Sequence, residues 1–194
     1  MANRLAIHSV GASLAKYLSD VYPTALRIQH PCQFRLLSSG QMTTPDDDGA
    51  ILSLFLYRVT MNEHLRNVGR ANQTSARNVP LSLDLHYLMT VWADGALAEQ
   101  TILAWAMHEL YRHPVLDASS LSPEAQWATG EVIQLVPAEL SNEDIMRIWD
   151  AIEPTYRLSV SYIARMVRIE EVDETISNRV VAVRNQWEAI KEPA

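Results

Sequence analysis

Hydrophobic residues along the first third of the chain follow two periods, one typical of a helix and one typical of strands. The helical spacing runs through Ile7, Val10, Leu14, Leu18 and Val21. It predicts an amphipathic helix over residues 4–21 that ends before Pro23. Residues 51–60 are instead dense in β-forming side chains, and residues 33–39 read as a short strand. We predict a strand in each, separated by a turn-rich loop over 40–49.

The segment 81–91 alternates strictly between two kinds of side chain. One set consists of Leu81, Leu83, Leu85, Tyr87, Met89 and Val91, and the other contains Ser82, Asp84, His86 and Thr90. Successive side chains of a strand point to opposite sides of a sheet. The pattern therefore predicts a strand with one face in the core and the other on an outer surface.

The second half of the chain predicts two further helices and two further strands. In order, we predict a helix over 95–112 with Asp94 as its N-cap, a helical turn at Ser122-Pro123, a strand over 131–136, a helix that begins after Ser141, and a strand over 156–169. The helix after Ser141 presents Ile145, Ile148, Trp149 and Ile152, and it opens with an imperfect capping box. The alternation of the last strand weakens near Ile163, which indicates a β-bulge.

The order of these elements indicates the class of fold. Three consecutive strands come before the next helix, which argues against a doubly wound parallel sheet. We predict an α+β fold, in which residues 1–171 form a single domain with helices packed on a mixed, mainly antiparallel sheet. Residues 172–194 follow as a C-terminal helical arm.

The predicted arm has a narrow apolar stripe. Its members are Val172, Ile176, Val180, Val183, Trp187 and Ile190. A stripe of this width is typical of a helix that docks into one groove. The groove belongs either to a partner or to the chain's own domain, and the sequence leaves both readings open.

Composition and charge exclude several classes of protein. The 194 residues carry a net charge of −7, whereas a general nucleic-acid binder presents a basic surface. No apolar stretch reaches the length of about 18 residues that a membrane-spanning helix needs, and no signal peptide is predicted. The only cysteine, Cys32, excludes an internal disulfide and a cysteine-built zinc site. We expect assembly in the cytoplasm, with no nucleic-acid partner and no direct membrane insertion.

Few residue groups offer chemistry. Asp84 and His86 lie on the same strand face, so they could hold a metal or act as an acid–base pair, although no third ligand is visible. They are otherwise polar residues on the outer face of a half-buried sheet. His30-Pro-Cys32 has no second ligand pair, and Asp46-Asp47-Asp48-Gly49 lacks the spacing of an EF-hand loop. The leading prediction therefore has no catalytic residues, no metal and no cofactor. The alternative is a small metal-dependent hydrolase or ligand-binding protein that uses Asp84 and His86.

One segment is basic in an otherwise acidic chain. Residues 65–79 contain Arg66, Arg70 and Arg77 and no acidic residue. Arginine guanidinium groups bind carboxylates well. We predict either a solvated loop or a contact with an acidic surface of a protein partner.

Seven segments carry a resemblance to a known family. They are Leu56-Tyr-Arg-Val-Thr60 with the following Asn62-Glu-His-Leu-Arg-Asn67, Pro80-Leu-Ser-Leu-Asp-Leu-His-Tyr-Leu88, the helix over 97–110, Pro114-Val-Leu116, 132–137, 140–149 and 156–169. In their order and spacing, the chain resembles the cap (tail-terminator) proteins of extracellular contractile injection systems. These systems are phage-tail-like particles that drive a tube through a target membrane.

The resemblance implies a function in assembly. A member of this family is expected to form a homo-hexameric ring that closes the inner tube and contractile sheath at the end distal to the baseplate. Its partners would be copies of itself and the sheath and inner-tube proteins, in a particle released extracellularly. The resemblance also implies a small sandwich of helices and sheet, like that of phage tail terminators, and no enzymatic activity.

Overall fold

The computed structural model describes residues 2–42, 49–62, 80–152 and 155–170. In this part of the chain the helices are α1 (Ala6–Val21), α2 (Thr24–Gln29), α3 (Ala96–Arg112) and α4 (Asn142–Ile152). The strands are β1 (Cys32–Leu37), β2 (Ala50–Met61), β3 (Leu81–Trp92), β4 (Val115–Asp117), β5 (Val132–Ala138) and β6 (Ser159–Ile169). Short 3-10 helices cover Ser39–Gln41 and Pro123–Ala125. None of the described helices is long and apolar enough to cross a membrane.

The strands form one six-stranded sheet in the order β1-β2-β3-β6-β5-β4. Only β1 and β2 run parallel, and every other neighbouring pair is antiparallel. Parallel neighbours need a long connection, and twelve residues of the sequence separate β1 from β2. The predicted α+β class, with a single domain and a mixed, mainly antiparallel sheet, is confirmed.

Helices α1 and α3 cover one side of the sheet, which we call face A. The stripe of α1 consists of Ala6, Val10, Leu14 and Leu18, each 0% exposed. It packs against the residues of β3 that the alternation assigned to the core, Leu83, Leu85, Tyr87, Met89 and Val91. Leu81 is the exception in this set, because its side chain is exposed. Removal of this apolar surface from water is the main term that stabilises the domain.

The opposite side of the sheet, face B, is covered at one end by α4. Trp149 and Ile152 of this helix join a second apolar cluster with Leu88 and Trp92 of β3. Polar groups beneath the helix are paired, since the Trp92 indole N–H donates to Ser53 Oγ at 2.8 Å. Both faces of β3 are therefore buried at this end, which the alternating pattern did not predict.

The predicted bulge in the last strand is present, slightly beyond Ile163. Leu83 faces Val167 and Leu85 faces Ala164, so β6 carries one more residue than β3 between these pairs. Met166 accommodates it with a φ of 69°, in the left-handed region that side chains rarely adopt. The bulge turns the end of β6 away from a regular ladder.

Two details of the predicted elements need correction, and a third, the imperfect capping box, is as expected. Asp94 is not the N-cap of α3, because Gly95 occupies that position and no side chain caps the helix. Helix α2 and strand β4 were not predicted, since the six residues of α2 bury no side chain and β4 has only three residues. The capping box at α4 is half formed. The Ser141 hydroxyl accepts from the Asp144 N–H at 3.0 Å, whereas the Asp144 carboxylate accepts from that same hydroxyl.

Candidate functional site

The Asp84 carboxylate lies on face B and is occupied by neighbours. One oxygen accepts hydrogen bonds from Asn62 Nδ2 at 2.9 Å and from the Met166 N–H at 3.2 Å. The other lies 3.7 Å from Arg165 Nε. Its side chain is only 14% exposed, so Asp84 is more enclosed than the solvated strand position that the sequence predicts. The carboxylate binds the N–H of the bulge residue and so stabilises the bulge.

His86 has different neighbours from Asp84. Its Nε2 lies 2.9 Å from Thr60 Oγ1, and its ring makes an edge contact with Tyr57 at 5.9 Å between centroids. Burial and then the nearby Arg58 guanidinium lower the pKa of His86, and the Asp84 carboxylate opposes them. These surroundings favour the neutral form of the ring, which packs between β2 and β3.

The described residues do not support a metal site at Asp84 and His86. Nowhere in residues 2–42, 49–62, 80–152 and 155–170 are three His, Cys, Asp or Glu side chains grouped closely enough to hold an ion. Burial also raises the pKa of Cys32 to about 12, which keeps the thiol protonated and unreactive at neutral pH. The Asp46–Asp48 segment falls outside the described residues.

The outward side of α3 is the first of two surfaces with the character of a protein contact. Its exposed residues at helical spacing are Leu97, Gln100, Ala104, Met107, His108 and Tyr111. None of them is Asp, Glu, Lys or Arg, and Tyr111 is 82% exposed. The one charged residue exposed on this helix is Arg112 in its last turn. A surface helix normally carries charge on its solvent side. We call this stripe the α3 outer face. The spacing was visible in the sequence, but its exposure could not be known before the packing of α3.

The second surface is the free half of strand β2. β1 pairs with β2 only as far as the Leu37–Phe55 pair. Residues 56–61 continue to pair with β3, but no described strand lies on their other side. We call this half of β2 the open edge. Unpaired strand edges expose backbone donors and acceptors that can pair with another chain.

A cleft of about 650 Å³ lies where β1 ends. It is lined by the start of α1, the end of β1 with the turn after it, and neighbouring residues of β2 and β3. These residues are Arg4, Leu5, Ile7, His8, Leu36, Leu37, Ser38, Ser39, Gln41, Phe55, Leu56 and Tyr87. α1 approaches the sheet closely here, since a β-carbon on Gly11 would lie 2.7 Å from a methyl group of Leu36. The cleft therefore combines an apolar wall with a basic rim.

The interface residues predicted from the sequence lie outside the described residues. They are Arg66, Arg70 and Arg77 in the basic segment, and Val172, Ile176, Val180, Val183, Trp187 and Ile190 in the C-terminal arm. The boundary at residue 171 and the helical arm over 172–194 remain predictions for the same reason.

The solved structures that are similar to this chain include the following two. The first is described as the PVC sheath/tube terminator of an extracellular contractile injection system in the extended state. Its TM-score is 0.57 at 19% sequence identity, over 97% of this chain and 65% of that chain. The second, the tube-terminating cap of the anti-feeding prophage, has a TM-score of 0.46 at 16% identity, over 73% of this chain and 50% of that one. The chain thus spans 65% of the length of the terminator chain and 50% of the length of the cap chain.

Comparison with protein families gives a match to the Pvc16 N-terminal domain over residues 9–182. No curated protein matches the chain in sequence. The family match and the similarity of fold agree with the resemblance carried by the sequence segments. Because the match extends over most of its 194 residues, the chain belongs to the Pvc16 N-terminal domain family.

Proposed function

We propose that the chain is a structural cap that terminates the inner tube and contractile sheath of a phage-tail-like contractile injection system, at the end distal to the baseplate. The family match over residues 9–182 carries this proposal. It is supported by the fold, which over 97% of the chain resembles a protein described as a sheath/tube terminator. Its partners are then the sheath and inner-tube proteins. Assembly takes place in the cytoplasm, before release of the particle.

The cap acts as a closed homo-hexameric ring. A head-to-tail contact between identical subunits forms a ring when its rotation closes, and an endless filament when it does not. A terminator has to stop growth, so closure is the property that its contacts must provide. The α3 outer face suits one side of such a contact, because it places uncharged, largely apolar side chains on the surface.

We propose no enzymatic role for the chain. Asp84 is taken up by Asn62, the β6 bulge and Arg165, and His86 by Thr60 and Tyr57. These neighbours explain both polar residues as parts of the sheet. The metal-dependent hydrolase therefore has no observation in its favour among the described residues.

The ring and the cap can be tested with one substitution, Tyr111→Glu. The wild-type protein is expected to have a mass near six times the 21.9 kDa of one chain, by light scattering or native mass spectrometry. When it is co-expressed with the sheath and tube proteins, particles should end in a ring of this chain. Tyr111→Glu introduces a charge that would have to be buried in the contact. We expect it to give monomers and open-ended tubes of variable length.

The matched control for this test is Met146→Glu, which introduces the same charge on α4. Met146 is also exposed, but it lies on the helix of face B. This variant should keep the wild-type mass, and both variants should melt as the wild type does, since exposed substitutions change stability little. A Tyr111→Glu protein that still forms rings and closes tubes would contradict the ring contact on α3. A wild-type protein that never locates to particle ends would contradict the cap itself.

We also propose that the C-terminal arm docks on a neighbouring protein, with Trp187 as its anchor. A buried tryptophan often dominates an interface, and its truncation can cost about 2 kcal/mol or more of binding free energy. Trp187→Ala is expected to weaken ring formation or attachment to the sheath, while the melting temperature of the isolated chain stays unchanged. Pull-down with sheath protein and calorimetry measure the two quantities. A loss of several degrees in the monomer would assign the arm to its own domain.

The basic segment with Arg66, Arg70 and Arg77 is proposed to contact an acidic surface of a partner in the particle. Arg58, which is exposed on β2, adds a positive charge shortly before this segment in the chain. Such contacts between exposed charges weaken with salt.

A further inference from the structure

The outward backbone groups on the open edge of β2 pair with no strand in the described part of the chain, and they point in a defined direction. The Asn62 N–H donates to the Ser82 carbonyl at 2.9 Å, and Thr60 faces Asp84 in the same register. In an antiparallel ladder, bonded and non-bonded residues alternate along each strand. The N–H and C=O groups of Val59 and Met61 therefore point away from β3, towards the side that no described strand occupies.

The side chains at this edge are also uncovered. Val59 is 43% exposed and Met61 is 61% exposed, on the face that α1 and α3 cover elsewhere. Natural sheets usually protect an edge with several charges, a proline or a covering element. Here residues 56–61 contain one charged residue, Arg58, and no proline, and their pairing with β3 shifts register at Tyr57. The edge is about 20 Å long at the usual rise per residue, and beyond Tyr57 its ladder with β3 is regular.

The cleft adds a side-chain site to this backbone site. It begins where β1 stops, so a strand added to the open edge would continue the line of β1 past Leu36, Leu56 and Ile7. Alternate side chains of such a strand would enter the apolar wall of the cleft.

The charge around the site is of one sign. Arg4 and His8 are exposed at the cleft on the side of α1, and Arg58 is exposed on the edge itself, on face B opposite His86. None of the residues that line the cleft is acidic. This local positive charge contrasts with the net charge of −7 of the whole chain, and it favours a ligand that carries carboxylates.

We infer that the open edge and the cleft together bind an extended peptide segment of another protein, in which apolar residues alternate with acidic residues. The segment adds a seventh strand beside β2. Its backbone pairs with Val59 and Met61, its apolar side chains fill the cleft beside α1, and the carboxylates that alternate with them meet Arg58 on face B. This site goes beyond the cap proposal, and its test needs no assembled particle.

The test uses the full chain and fluorescein-labelled hexapeptides, with binding followed by fluorescence anisotropy. The first probe alternates leucine and glutamate, and its control alternates leucine and lysine. The glutamate peptide should bind at least about tenfold more tightly, with the difference shrinking in high salt. Equal binding of the two peptides, or no binding of the glutamate peptide, would overturn the inference.

Two N-methylated versions of the glutamate peptide test the backbone pairing. Each is methylated on one of the two alternate sets of amides, which face opposite sides of an extended strand. Methylation of the set that faces β2 should weaken binding roughly tenfold, and methylation of the other set should leave it unchanged. Equal effects of the two versions would exclude strand addition, and this result does not depend on any protein variant.

Val59→Pro is the matching change in the protein. Proline removes the outward N–H but no bond to β3, and edge strands tolerate it. The variant should bind the glutamate peptide roughly tenfold more weakly, whereas Val59→Thr should bind as the wild type does. Sedimentation of the wild type and Val59→Pro without peptide distinguishes a peptide ligand from a second copy of the chain. If Val59→Pro abolishes self-association of the chain, the edge is occupied by a second copy and the assignment to an acidic segment is wrong.

Discussion

Replacement of Trp149 with alanine is expected to lower the free energy of unfolding by about 3–5 kcal/mol. Trp149 is 2% exposed and fixes α4 to face B of the sheet. Its ring makes edge contacts with Trp92 at 6.0 Å and with Tyr156 at 6.2 Å. Truncation would remove these contacts and leave a cavity between α4 and β3. For a chain of this length the melting temperature should fall by roughly 10 °C, measured by calorimetry or circular dichroism.

Two further variants provide the controls, one at an exposed position of α4 and one at Trp149 itself. Met146→Ala, at an exposed position of α4, should change the free energy of unfolding by no more than about 0.5 kcal/mol. Trp149→Phe should cost much less than the alanine change, because it keeps an aromatic ring and removes a buried indole N–H that has no hydrogen-bond partner in the described part of the chain. A cost below about 1 kcal/mol for Trp149→Ala would mean that α4 contributes little to the core.

Replacement of Asp84 with alanine is expected to cost about 2–3 kcal/mol of unfolding free energy. The change removes the acceptor of the Asn62 side chain and of the Met166 N–H, and it leaves Arg165 without this carboxylate. The bulge of β6 would lose the contact that holds its left-handed residue. Urea denaturation measures the loss as a lower midpoint at an unchanged slope.

Asp84→Asn is the matched control, since it keeps an oxygen that can accept the two hydrogen bonds. It should lose less stability than Asp84→Ala. A metal chelator tests whether Asp84 stabilises the bulge or binds a metal ion. If a chelator destabilised the wild type but not Asp84→Ala, Asp84 would be a metal ligand and the present account of the bulge would be wrong.

Local patterns determined most of the elements. The helical spacing of Val10, Leu14 and Leu18 and the two-residue period of β3 are properties of neighbouring positions, and both give most of the buried face A, although Val21 at the end of the predicted stripe is exposed. The loss of alternation after Ile163 likewise indicated the bulge, because an extra residue shifts the period of the strand itself. The family could also be inferred from the sequence, since the segments that resemble it are contiguous stretches of the chain.

Contacts between distant residues decided the rest. Asp84 meets Met166, 82 positions along the chain, and no local period reveals that partner. The open edge depends on the difference in length between β1 and β2 and on their parallel register, which tertiary pairing establishes. The cleft exists only because α1 crosses the sheet beside the end of β1. The residue pattern of the chain therefore determined most of the segments that are helix or strand, but not the short α2 and β4. Only the tertiary structure decided which backbone and side chains remain free to bind another protein, because exposure is a property of packing between segments.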